Sequence, residues 1–208
     1  LVTMSPRVEP AFSDALISPV ERPAGETRFR VGLLTGCIQD IAYASVNRDT
    51  VEVLAQNGCE VVTPREQHCC GSIHGHNEDL AHAREMARLN VDAFPLARLD
   101  AIITNAGGCG SHLRHYGRLL AGDAKYAERA KAWDGKVKDI HEWLLEIGLR
   151  RPDRGLPKMT VTYHESCHLC HGQGISSQPR EVLKAIPGVR LVELKDANVC
   201  CGSAGVYS

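Results

Sequence analysis

The stretch FRVGLLTGC, residues 29–37, decides the fold, because it joins a short apolar run to a turn and a cysteine. Short apolar runs bounded by turn residues are typical of buried strands in parallel sheets. We therefore predict a strand ending before Cys37. A helix is expected to follow, with Asp40 as its cap and with Val46, Val53 and Leu54 on one face.

The same alternation continues along the chain. An Asn57-Gly58 pair ends the first helix, as Asn and Gly often do. Further strands are predicted at 60–62 and 101–104, and helices at 77–94, 111–120, 124–133 and 139–147. Strands that alternate with helices favour an α/β fold with a parallel sheet and crossover helices.

The pattern of residues 31–37 restarts at residues 161–167, VTYHESC. Cys-Cys-Gly-Ser arrives after 31 residues in the first copy and after 32 in the second. Near-identical spacing around a rare motif indicates a tandem duplication. In the second copy, a helix is predicted at 180–186 and a strand at 191–194.

Composition places the boundaries between these units. Residues 1–28 are predicted to be a linker or lead-in that adds little core, and RPDRGLPK, residues 151–158, is predicted to be an internal linker. The first cysteine-rich unit then spans 29–150 and the second 159–208. The second is expected to be incomplete, because it has no counterpart of Cys109.

Nine cysteines are many for an intracellular chain of this length, and they indicate metal binding or redox chemistry rather than disulfides. Most follow predicted strands, and carboxyl ends of parallel strands meet at one sheet edge. The candidate cofactor and metal ligands are Cys37, Cys69, Cys70 and Cys109 in the first unit, and Cys167, Cys200 and Cys201 in the second.

Thiolates are soft ligands that select iron-sulfur clusters, zinc or copper(I). Adjacent cysteines chelate one tetrahedral ion awkwardly, whereas a cluster can accept them at different iron atoms. Zinc sites more often show Cys-x-x-Cys. An iron-sulfur cluster is therefore favoured, with zinc as the alternative and a redox dithiol or buried structural cysteines as weaker ones.

The remaining cysteines and the histidines carry less information. Cys59 is expected in the core, because it lies between Asn57-Gly58 and a strand, away from the predicted ligand edge. Cys170 is expected in packing, because its equivalent in the first copy of the repeat is Asp40. His112 is a candidate ligand, since histidine can replace cysteine at iron. His68, and the histidines around Cys167, are expected instead to hydrogen-bond to sulfur.

Charge and hydropathy exclude other classes of partner. The 24 Lys and Arg nearly balance the 25 Asp and Glu, so no basic field for nucleic acid is expected. No apolar stretch reaches the roughly 20 residues of a membrane-spanning helix, and the first residues do not read as a secretory signal. A cytoplasmic protein is expected.

These motifs resemble the cysteine-rich, Cys-Cys-Gly domain family found in heterodisulfide reductase, and more closely the iron-sulfur subunit of glycolate oxidase. The resemblance runs from about Pro23 onward. It is carried by LLTGCIQD, HCCGSIHGH, TNAGGCGSHLRHYGRLL, YHESCHLCHGQGI, QPREVLKAIPG and CCGSAGVYS. Relatives of the reductase have Cys-x-x-Cys where this chain has Cys109 followed by Gly-Ser-His112.

The resemblance implies an electron-transfer subunit of a glycolate (2-hydroxyacid) oxidase complex, with a cluster of 4Fe-4S type, similar to the middle of that subunit. Electrons would come from an FAD-binding flavoprotein partner, which oxidises the substrate, and would pass toward quinone at the inner face of the membrane. The resemblance leaves a lactate-utilisation or heterodisulfide reductase type subunit as alternatives. A zinc-stabilised interaction domain and a flavodoxin-like binding module are the rivals from other classes.

Overall fold

The computed structural model describes residues 7–199 and 202, so Cys200 and Cys201 lie outside the described residues. The described part is a mixed α/β structure with a five-stranded and a two-stranded sheet. The α/β class with parallel sheets predicted from the sequence is confirmed.

The larger sheet has the strand order β1-β3-β2-β4-β5. Pairs β3–β2, β2–β4 and β4–β5 are parallel, and only β1 runs antiparallel to its neighbour. The strands are β1 (Val20–Glu21), β2 (Phe29–Leu33), β3 (Cys59–Val62), β4 (Ala101–Thr104) and β5 (Val137–Asp139). Adjacent strands β3, β2 and β4 therefore end at one edge of the sheet.

Helices connect these strands and cover both sheet faces. They are α1 (Ser13–Leu16), α2 (Ile38–Ala42), α3 (Ala44–Gln56), α4 (Ser72–His76), α5 (Leu80–Ala93), α6 (Gly107–Leu113), α7 (Tyr116–Leu119), α8 (Ala127–Asp134) and α9 (Ile140–Glu146). Successive residues of β4 point to opposite faces, so Ile102 packs in one core cluster and Ile103 in the other.

The described part of the predicted lead-in, residues 7–28, contributes more to the core than expected. There, α1 packs on α3, β1 pairs with β3, and Ile17 is buried in a core cluster. The sequence did not reveal α1 and β1 because, with 4 and 2 residues, they are too short to show a hydrophobic period.

The first helical segment also differs from its prediction. Asp40 does not cap it; the Asp40 carboxylate accepts the Ser13 backbone N–H at 2.7 Å. Val46 and Val53 are exposed, whereas Asn47, Thr50, Val51 and Leu54 are buried. The buried face of α3 therefore differs from the predicted one, because the polar side chains of Asn47 and Thr50 take core positions and form hydrogen bonds inside the fold.

The second unit is a small parallel pair of strands with two helices. These are β6 (Met159–Val161), α10 (Cys167–Gln173), α11 (Ser177–Ala185) and β7 (Val189–Leu191). Within the unit, Arg180 forms ion pairs with Glu165 and Glu193. Residues 151–158 form neither helix nor strand. The positions of the unit boundaries stay a prediction.

Close packing of α10 on α6 joins the second unit to the first. Gly110 of α6 leaves no room for a methyl group, because a Cβ there would lie 2.8 Å from Gln173 and 2.9 Å from Thr104. The Gln173 side-chain amide donates to the Gly107 carbonyl at 3.0 Å. Within the described part of the chain, no helix has the length and apolar character needed to cross a membrane.

Candidate metal centre

Three adjacent strands bring four cysteines to one edge of the larger sheet. Cys37 directly precedes α2, which follows β2. Cys69 and Cys70 lie in the loop between β3 and α4, and Cys109 lies in α6 after β4. The structure therefore places together all four candidate ligands of the first unit.

The four sulfurs form a row of contacts. The Sγ atoms of Cys37 and Cys69 are 3.3 Å apart. The Cys70 thiol is hydrogen-bonded to the thiols of Cys69 and Cys109. Cys70 is buried, and the other three are partly exposed. Cys70 is thus the buried member of the row, and the two ends, Cys37 and Cys109, are partly exposed.

Crowding disfavours ionisation of the Cys37 and Cys70 thiols. The hydrogen bond to Cys69, followed by burial, raises the pKa of Cys37 well above its ordinary value. The bond to Cys109 does most to raise the pKa of Cys70, and burial adds to it. Neighbouring thiols ionise together only when a cation compensates their charges, and the thiolate is the form that binds metal. The site is therefore suited to a positively charged group that contacts several sulfurs.

Buried polar side chains fix the backbone of the Cys-Cys pair. The Asn90 amide donates to the Cys69 carbonyl at 3.0 Å, and the Tyr116 hydroxyl donates to the Cys70 carbonyl at 2.7 Å. Asn90 and Tyr116 are fully buried. Gly71 follows the pair with φ of 84°, a left-handed conformation that glycine adopts without strain.

A second set of amides holds the loop before Cys37. The Thr35 N–H donates to the Gln67 side chain at 2.8 Å, and the Asn47 amide donates to the Thr35 carbonyl at 3.0 Å. Asn105 in turn donates to Asn47 at 2.9 Å. The three cysteine-bearing loops are thus tied together by side-chain amides.

Sequence reasoning missed these supporting residues. Asn90 shares the buried face of α5 with Ala83, Ala87 and Val91, and Asn47 shares that of α3 with Val51 and Leu54. An amide at an apolar helix position is the signal that could have found them, because buried amides need hydrogen-bond partners.

The other cysteines separate into three cases. Cys59 is buried in β3, as expected. Cys167 begins α10, on the helix that packs against α6, and Cys170 lies in the same helix with its thiol hydrogen-bonded to Glu165. Cys200 and Cys201 lie outside the described residues, so their predicted role has no structural description.

His112 lies in α6, one turn after Cys109. Its ring stands edge-on to Tyr116, with centroids 5.9 Å apart, and its Nε2 is buried without a hydrogen-bond partner among the described residues. Burial, followed by the nearby His76 and His115, lowers the pKa of His112 to about 4. The imidazole is therefore neutral near pH 7.

The sulfur arrangement fits a group larger than a single ion. Sulfurs around one zinc would lie about 3.8 Å from one another, since each Zn–S bond is about 2.3 Å. Among the described residues, no three cysteine sulfurs lie within 4.8 Å of one another. A row of thiols that extends over four residues suits a multi-iron cluster, whose metal atoms are distributed in space. The 3.3 Å contact between Cys37 and Cys69 is shorter than the sulfur spacing around zinc, so these two sulfurs must move apart when either group binds.

The chain is similar to proteins named for iron-sulfur chemistry. It is 40% identical over 185 residues to the probable glycolate oxidase iron-sulfur subunit of Bacillus subtilis, covering 88% of this chain and 42% of that protein. It is 37% identical to an uncharacterized iron-sulfur protein of Methanocaldococcus jannaschii, covering 88% of this chain and 34% of that protein.

A third relative has a length closer to that of this chain. Lactate utilization protein A of Geobacillus thermodenitrificans is 34% identical over 181 residues, covering 86% of this chain and 74% of that protein. The chain spans less than half of the Bacillus and Methanocaldococcus relatives but three quarters of this one.

The family match covers both copies of the repeat. The sequence model of the CCG cysteine-rich domain matches residues 31–114 and 161–208, each with one Cys-Cys-Gly motif. These two regions support the tandem organisation inferred from the spacing. The chain belongs to the CCG cysteine-rich domain family.

Proposed function

We propose that the chain is an electron-transfer subunit in which Cys37, Cys69, Cys70 and Cys109 hold an iron-sulfur cluster of 4Fe-4S type. The row of four sulfurs at one sheet edge carries this proposal. The proposal extends to Cys167, Cys200 and Cys201 as the corresponding ligands of the second unit.

The residues around the sulfurs have defined tasks in this function. When bound, the cluster supplies one-electron transfer. The Gly71 N–H points at the Cys69 sulfur from 3.5 Å, and such donors stabilise negative charge on sulfur. Burial of Cys70 limits water inside the row, while the partly exposed Cys37 and Cys109 leave its two ends open for electron exchange.

The complex that best suits this subunit is a glycolate (2-hydroxyacid) oxidase, with the relative from Bacillus subtilis as support. An FAD-binding flavoprotein would oxidise the substrate, and the electrons would pass through this chain toward quinone on the cytoplasmic side of the membrane. A lactate-utilisation complex is the second candidate, because the chain covers 74% of the lactate utilization protein A.

Metal and sulfide analysis tests the proposal. Protein is prepared anaerobically as wild type, Cys70→Ser and Cys59→Ala, and its iron, acid-labile sulfide and zinc are measured with an absorption spectrum. We expect iron and sulfide in similar amounts in the wild type and the buried-core control, and a large loss in Cys70→Ser. Stoichiometric zinc without sulfide would overturn the electron-transfer function and favour a zinc-stabilised domain.

A further inference from the structure

Two histidines and an aspartate converge beside the cysteine site without belonging to it. His74 lies in α4, Asp79 caps α5, and His82 lies in the first turn of α5. The Nδ1 atoms of His74 and His82 approach the same Asp79 oxygen, at 3.2 and 2.7 Å. Three potential ligand atoms from two helices thus meet at one point.

We propose that His74, Asp79 and His82 bind a divalent transition-metal ion of the zinc type. Within the described part of the chain, this is the only group of three His, Cys, Asp or Glu ligand atoms that all lie within 4.8 Å of one another. The inference does not rest on the proposed function, because none of the three residues is a cysteine of the row.

The distances suit such an ion. Zinc binds histidine nitrogen and carboxylate oxygen at about 2.0–2.2 Å, which places tetrahedral neighbours about 3.3 Å apart. The distances from Asp79 Oδ2 to the Nδ1 atoms of His74 and His82, 3.2 and 2.7 Å, are close to this separation of neighbouring ligand atoms. The imidazoles are stacked with an interplanar angle of 28° and centroids 5.4 Å apart, so both can present Nδ1 to one side.

The ligand types select the metal. Imidazole with carboxylate suits zinc and its neighbours in the transition series, whereas magnesium and calcium prefer oxygen alone. Three protein ligands leave coordination positions for water, as in open zinc sites. The side chains are 38–61% exposed, so an ion can reach them from solvent.

A similar pair elsewhere in the chain shows what the third residue adds. Asp139 caps α9 and lies 2.8 Å from the Nδ1 of His141, as Asp79 lies next to His82. Within the described residues, no third ligand atom lies within 4.8 Å of both members of that pair. A capped helix with one hydrogen-bonded histidine is thus the simpler arrangement, and His74 is what distinguishes the proposed site.

Zinc titration by calorimetry tests the site on the full chain. The cysteines are saturated beforehand with iron and sulfide, or with zinc if the cluster proposal fails, so that failure of one proposal does not affect the other. We expect one further zinc to bind at pH 7.5. The affinity should fall by at least about tenfold in His74→Ala and His82→Ala, and remain unchanged in His141→Ala.

Asp79→Asn provides a variant that keeps the helix cap, because Asn caps helices as well as Asp does. It should also weaken zinc binding, since it removes the anionic ligand. Absence of the additional zinc, equal affinity in the His74→Ala and wild-type proteins, or an equal loss in His141→Ala would overturn the proposal.

Discussion

The sulfur of Cys37 lies 3.3 Å from the sulfur of Cys69, although 32 positions separate the two residues in the chain. Parallel pairing of β2 with β3 produces this approach, because the strands end side by side. Both thiols are partly exposed. The contact is close enough for a disulfide to form with a small movement, since bonded sulfurs lie about 2.05 Å apart.

We therefore predict that mild oxidation of the metal-free chain forms a Cys37–Cys69 disulfide. Peptide mapping by mass spectrometry without reduction measures the product. Buried Cys59 should stay unmodified, and protein loaded with iron and sulfide should resist the reaction because its thiols are occupied. A metal-free chain that forms other cysteine pairs in preference would contradict the arrangement at the sheet edge.

Tyr116→Phe should destabilise the loop that carries the Cys-Cys pair. The change leaves the Cys70 carbonyl without the hydroxyl donor that lies 2.7 Å away in the core. A buried acceptor that loses its partner costs about 1–3 kcal/mol. Urea unfolding measures the loss, and the rate of cluster bleaching in air should rise.

Tyr126→Phe is the matched control for Tyr116→Phe. Its hydroxyl donates to Asp92 at 2.6 Å, but the Asp92 side chain is 47% exposed and can bind water instead. The free energy of unfolding should change by less than about 1 kcal/mol. Equal losses of unfolding free energy in the two variants would show that the Tyr116–Cys70 hydrogen bond stabilises the fold no more than the exposed Tyr126–Asp92 one.

Gly110→Ala should separate α6 from α10. The added methyl would meet Gln173 and the buried Thr104 at less than 3 Å. Overpacking of this kind costs about 1–3 kcal/mol. Gly108→Ala in the same helix meets nothing within 4 Å and should be neutral or stabilise by up to about 1 kcal/mol. Urea midpoints compare the variants; equal midpoints would contradict the close packing.

His112 should make stability depend on pH in the mildly acidic range. Burial lowers its folded pKa from 6.5 to about 4, so the unfolded chain binds the proton first as pH falls. The free energy of unfolding should therefore decrease between pH 6.5 and 4 and level off, for this residue, below about 4.

His112→Leu, which keeps an apolar side chain in the same space, should reduce this pH dependence. His115→Leu should change it much less, because His115 is the smallest of the three causes that lower the pKa of His112. Urea unfolding at several pH values provides the measurement. If the unfolding free energy of His112→Leu changes with pH as steeply as that of the wild type, then groups other than His112 cause the pH dependence.

Local sequence patterns predicted two of the strands, the repeated units and the family of this protein. Apolar runs bounded by turns located β2 and β4, and the repeated Cys-Cys-Gly spacing identified two related units and the family. These features depend on neighbours along the chain, so the sequence contains them directly. By contrast, β5 was missed because its three residues, Val137–Asp139, are too few to show a strand period.

Only the tertiary structure decided which groups meet. The order β3-β2-β4 brings the loops of Cys37, Cys69 and Cys109 to one sheet edge, and helix packing brings Asn90 and Tyr116 against the Cys69-Cys70 pair. The same packing brings α4 against the first turn of α5, where His74 reaches Asp79. Contacts between distant segments depend on strand order and helix orientation, and those are fixed by burial of the whole core rather than by any local motif.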